Sequence, residues 1–120
     1  MAKKNKDNLG LSLPFRGTGG FIYNVTVKVE KNIAADWLQW QIEEHGPEII
    51  ATNCFTKFTA LRLLEYDDEE STTYAIQYLA EMIEGYQTYI NQFADHFRKK
   101  SFDKWGNKFV AFRTLMEVVH

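Results

Sequence analysis

The chain has 120 residues, of which 45% are apolar and 25% charged, and a formal net charge of −2. That length fits one domain able to bury its own core without metal or disulfide staples, and the charge gives no ground for a nucleic-acid-binding body. The lone cysteine, Cys54, excludes an internal disulfide and suits a reducing cytoplasm, and no run is apolar and long enough to span a bilayer.

Residues 1–20 are expected to form a basic N-terminal tail. Lys3, Lys4, Lys6 and Arg16 stand there against Asp7, so the rest of the chain is acidic. No apolar run follows the lysines, so no secretory signal is expected. Such a tail is either a solubilising terminus or a contact for RNA, an anionic membrane or an acidic macromolecular partner. Leu9, Leu11, Leu13 and Phe15 alternate with Gly10, Ser12 and Pro14, a strand-like spacing that Pro14 would confine to a sheet edge. Gly17, Gly19 and Gly20 read as a hinge.

Residues 21–120 form the predicted domain. Over Phe21–Val29, Tyr23, Val25, Val27 and Val29 share one face, while Ile22, Asn24, Thr26 and Lys28 share the other, which predicts a strand. A helix follows, with Asn32 as its expected N-cap and Ala34, Trp37, Leu38, Gln41, Ile42 and His45 on one broad face. Gly46-Pro47 is expected to stop or kink it. Cys54 to Tyr66 reads as a long strand. Asp67 to Ser71 reads as a solvated acidic hairpin loop, and Thr72–Ala80 as the returning strand. Ile83, Tyr86, Ile90, Phe93 and Phe97 predict a second helix over about Glu81 to Phe102. Lys108–Val119 is the last strand, with Val110, Phe112, Met116 and Val118 expected toward the core.

The order strand, helix, strand, strand, helix, strand predicts an α+β fold of ferredoxin-like β-α-β-β-α-β topology, a four-stranded antiparallel sheet with both helices on one face. The other face is expected to carry Ile22, Asn24, Thr26, Ala75, Gln77, Leu79, Phe109, Ala111, Arg113, Leu115 and Glu117. Such a mixed patch is most simply covered by a second copy of the same sheet, which predicts a homodimer.

Several strings are more specific. Ile22-Tyr23-Asn24-Val25-Thr26-Val27, Trp37-Leu38-Gln39-Trp40, Glu44-His45, Cys54-Phe55-Thr56, Tyr74-Ala75-Ile76-Gln77-Tyr78 and the ending Phe109-Val110-Ala111-Phe112-Arg113-Thr114-Leu115-Met116-Glu117-Val118 resemble a family of small bacterial proteins classed as a domain of unknown function. That family is similar to the dimeric α+β barrel superfamily. The resemblance covers residues 21–119 and implies the fold and a dimer. The superfamily includes haem-degrading and cofactor-free monooxygenases, small lactone isomerases and ligand-sensing domains, which share only a cavity between sheet and helices.

His45 is the best single candidate for acid–base chemistry. With Tyr23, Trp37 and Gln41 it would form a ligand pocket; alternatively it caps the helix end through a carbonyl, where a cationic ring would be favoured. Arg113, mid-strand among apolar residues, needs a partner. It is either an anion clamp or half of an interface ion pair with Glu117, with Asn24 and Gln77 nearby on the dimer face. No metal site is expected, because His45, His96 and His120 are far apart and no HxH, HExxH or CxxC spacing occurs. No cofactor is implied. The chain is therefore expected to be a binding or interaction module. The alternative is a small cofactor-free or haem-type monooxygenase- or isomerase-like enzyme, with His45 and Arg113 converging on a cavity of at least about a few hundred Å3.

Overall fold

The computed structural model describes residues 19–120. The expectations for residues 1–18, including the alternating leucines, lie outside the described residues. Strand β1 spans Phe21–Glu30 and a short 3-10 turn follows at Lys31–Ile33. Helix α1 (Ala34–Trp40) runs through a π turn (Gln41–His45) into α2 (Gly46–Ile50). Then come β2 (Lys57–Arg62), β3 (Ser71–Ala80), α3 (Ile83–Gln92), α4 (Ala94–Trp105) and β4 (Phe109–Glu117).

The strands form one antiparallel sheet in the order β2-β3-β1-β4. Register fixes the faces. Tyr23 lies opposite Tyr78, Val25 opposite Ile76 and Val27 opposite Tyr74, so the β-branched face of β1 and the aromatic face of β3 make one surface. The helices cover that surface. Trp37 of α1 stacks on Tyr74 with ring centroids 5.5 Å apart, and Tyr86 and Tyr89 of α3 pack on Tyr23 at 5.5 and 5.6 Å. Val29, Ile76 and Tyr78 are the most deeply buried large side chains.

The helical stretches differ from expectation in physically traceable ways. Asn32 is no N-cap: it lies in the 3-10 turn, and α1 starts after Ile33 with no side-chain cap. Gly46-Pro47 does not stop the first helical stretch. The Gly46 N–H bonds the Gln41 carbonyl five residues back, and Pro47, which has no N–H, falls in the first turn of α2, where no donor is needed. Gly46 is required by close approach, since a Cβ there would lie 2.7 Å from Phe58 Cε1 and 2.8 Å from the Gln41 carbonyl oxygen. The second helix is two helices that meet at Phe93, whose φ of −125° is not helical.

The strand expected over Cys54 to Tyr66 is shorter. Cys54 and Phe55 are buried ahead of β2, and Leu64–Tyr66 is a 3-10 turn. The acidic connection is held by its own carboxylates. Asp68 accepts the backbone N–H groups of Glu70 and Ser71, both at 2.8 Å, and Asp67 pairs with Lys31 at 2.5 Å.

Strand β4 faces the opposite way from its predicted parity. Phe109, Ala111, Arg113 and Leu115 pair with Val29, Val27, Val25 and Tyr23, so they lie on the helix-covered side. Val110, Phe112, Thr114 and Met116 lie on the outer side with Lys28, Thr26, Asn24 and Ile22. The outer face thus bears a more apolar stripe than expected, with Val110, Phe112 and Met116 exposed by 54%, 65% and 37%. Both parities of this edge strand hold apolar residues, so alternation alone could not choose between them.

Candidate functional site

The candidate site lies between the sheet and the helices, and the first helical stretch builds one wall. A π turn carries more than four residues per turn, so Gln41 and His45, four apart, both point inward. Gln41 Nε2 donates to the Tyr78 hydroxyl at 2.9 Å, a buried side-chain pair. Burial pushes the Tyr78 phenol well above its ordinary value, more than the Gln41 bond pulls it down.

His45 is 7% exposed. Its ring stacks on Trp40, with centroids 4.4 Å apart, and meets Phe97 edge-on at 5.6 Å. Its Nε2 lies 3.4 Å from Ser101 Oγ, and Nδ1 is buried with no partner. The sequence-based expectation of a carbonyl-capped, cation-favouring histidine is corrected here. The helix does not end at His45, and desolvation lowers its pKa from 6.5 to about 4, although Glu48 raises it. The ring is therefore neutral at pH 7.

Tyr23, Trp37, Gln41 and His45 line one cavity of about 60 Å3. Arg98 and Ser101 of α4, Tyr89 of α3 and Arg113 of β4 line it too. Arg98 Nη2 donates to the Tyr23 hydroxyl at 3.1 Å. Burial raises the Tyr89 phenol above its usual range, while Arg98 and Arg113 both pull it down, so the fields of both cations reach the same hydroxyl. Among the described residues, no carboxylate forms an ion pair with Arg98 or Arg113.

Arg113 is thus not on the outer face with Asn24 and Gln77. It aligns with Val25 on the cavity side. The expected pair with Glu117 does not form within the chain, because four residues along an extended strand span about 13 Å. Glu117 lies opposite Phe21 at the end of β4. Asn24 and Gln77 do meet on the outer face: Gln77 Nε2 donates to Asn24 Oδ1 at 3.2 Å, and Asn24 Nδ2 donates to Thr26 Oγ1 at 2.9 Å.

Of the named residues, the structure brings Tyr23, Trp37, Gln41, His45 and Arg113 to one cavity and leaves Asn24, Gln77 and Glu117 away from it. Arg98, Ser101 and Tyr89 escaped the sequence reading. For Arg98 and Ser101 the signal was the 4-3-4 spacing of Ala94, Arg98, Ser101 and Trp105, which puts two polar residues on an otherwise apolar helix face.

Chemically the arrangement offers two cations at one side, aromatic walls, and a neutral imidazole with a free nitrogen. That set can hold an anion. A histidine with a pKa near 4 is a weak general base at neutral pH. The cavity, partly open to solvent, is also smaller than the roughly 300 Å3 at which small-molecule sites begin. Among the described residues, no three His, Cys, Asp or Glu side chains gather as a metal-holding group. No helix there is long and apolar enough to cross a membrane.

Comparison with curated proteins finds no match to this chain. A family model does match, over residues 20–119, nearly the whole of the described domain. The chain belongs to the family described as Domain of unknown function (DUF4286).

Proposed function

We propose that the protein is a homodimeric binding module that takes a small ligand between its helices and β4. The observation that carries this reading is the convergence of Arg98 and Arg113, neither ion-paired within the described residues, on a cavity lined by Tyr23, Trp37 and His45. Both residues are solvent-exposed and Asp95 acts on Arg98, so the pull on a ligand comes from the combined field of two cations at one cavity rather than from relief of a buried charge.

The ferredoxin-like arrangement and the dimer belong to the same reading. The first is supported by β1 and β3 at the centre of the sheet, flanked by β4 and β2, all antiparallel, with both helical stretches on one face. The second is supported by the outer stripe Val110, Phe112 and Met116, which no segment among the described residues covers.

An enzyme of the monooxygenase or isomerase type has one observation in its favour, the convergence of His45 and Arg113 on one cavity. The volume of about 60 Å3 counts against it, since that reading calls for a cavity of roughly a few hundred Å3.

The test is a thermal-shift and calorimetric screen of the full chain against metabolite-sized acids, amines, amides and alcohols. Saturable binding of one chemical class supports the module. No binding by any class overturns it.

A further inference from the structure

We infer that the cavity accepts a short-chain carboxylate of two to four carbons, its carboxylate held between the Arg98 and Arg113 guanidiniums and its small end inside. The inference rests on the binding-module reading above and names the ligand class for it.

Charge is the first argument. Among the described residues, the one side-chain acceptor for either guanidinium is the Tyr23 hydroxyl, 3.1 Å from Arg98 Nη2. Both guanidiniums act on the Tyr89 hydroxyl and both residues line the cavity, so an anion placed there is attracted by both. Guanidinium forks match the two oxygens of a carboxylate, and the pairing is directional as well as strong.

Size is the second. The cavity volume of about 60 Å3 is well below the roughly 150 Å3 of a cavity that admits benzene. It takes a methyl, ethyl or similarly small group, not a ring. It exists because β4 presents Ala111, opposite Val27, where a larger residue would fill the space.

Polarity is the third. The interior is not wholly apolar: His45 lines it and has a buried Nδ1 with no partner, while Ser101 lies 3.4 Å from its Nε2. A buried nitrogen left unpaired is destabilising, and an oxygen on the ligand's second carbon would relieve it. Short 2-hydroxy and 2-oxo acids therefore fit better than plain fatty acids.

The experiment is isothermal titration of the full chain with acetate, propionate, lactate and pyruvate at constant ionic strength. Propionamide, ethylamine, chloride and sulfate serve as comparators. Saturable binding of the acids is expected, with lactate or pyruvate tighter than propionate and neither propionamide nor ethylamine binding. Arg113→Met is expected to weaken binding at least about tenfold. Arg113→Lys, which keeps the charge and loses the fork, should fall between. Circular dichroism checks that each variant folds. Should Arg113→Met fail to fold, Arg98→Met provides the same test from α4.

The inference is overturned if sulfate or chloride binds as well as the acids, or if both arginine variants bind them unchanged. Binding of propionamide or ethylamine without the acids would overturn the carboxylate while leaving the module reading intact. Failure of every compound in this titration and in the wider screen would overturn both.

Discussion

The Arg98 guanidinium reaches across the helix–sheet boundary to the Tyr23 hydroxyl, Nη2 to Oη at 3.1 Å. One residue comes from the middle of α4 and the other from the start of β1, 75 positions apart. The bond fixes α4 over the sheet and fixes where one of the two cavity cations points. Tyr23 is itself wedged between Phe55, Tyr78, Tyr86 and Tyr89, so its hydroxyl has little freedom to move.

Tyr23→Phe removes the acceptor and keeps the ring. Arg98 is solvent-exposed, so the bond is partly screened, and the expected loss is about 0.5–1 kcal/mol in urea unfolding. The double variant with Arg98→Ala should lose less than the sum of the two single changes, because they share one bond. Strict additivity would mean that the bond contributes nothing.

His45 makes stability depend on pH. Its pKa is about 4 in the folded chain and about 6.5 when unfolded. Between those values the unfolded chain binds more protons, so unfolding free energy rises with pH. The contribution is complete above pH 6.5 and is lost as pH falls through 4, in total about 3 kcal/mol. His45→Phe keeps a ring for Trp40 to stack on and should flatten the stability curve between pH 6.5 and 4.5. An unchanged slope in that variant would assign the pH dependence elsewhere.

Gly46→Ala tests the seat of the π turn. The added methyl would meet both the Phe58 ring and the Gln41 carbonyl. A loss of about 1–3 kcal/mol in chemical denaturation is expected. Combining it with Phe58→Leu should recover only part, since the carbonyl is backbone and cannot retreat as a side chain can.

Phe112→Glu tests the outer face. With Phe112 65% exposed in the protomer, the substitution should leave folding intact by circular dichroism. It should shift sedimentation velocity from a dimer to a monomer, because the charge would be buried without a partner against the second sheet. A monomeric parent chain at about 100 µM, well above the μM dissociation constants of ordinary interfaces, would overturn the dimer.

The sequence by itself determined the element order and the strong faces. Tyr23, Val25, Val27 and Val29 on β1 and Tyr74, Ile76 and Tyr78 on β3 were legible because strict alternation leaves one possible inside. The grouping of Tyr23, Trp37, Gln41 and His45 was legible because helical spacing put three of them on one helix face, the face turned toward the strand that carries Tyr23.

Tertiary structure alone decided the parity of β4. Both faces of that edge strand carry apolar residues, so only pairing with β1 turned Arg113 inward to the cavity and Phe112 outward. It also decided the state of His45. A helix terminus would favour the cation, but the chain continues as a π turn, and packing against Trp40 and Phe97 strips away the water that a charged imidazole needs. Local spacing fixes which residues share an element's face. Which face meets which neighbour, and how dry that contact is, depends on partners 50 or more residues away, such as Ser101 beside His45.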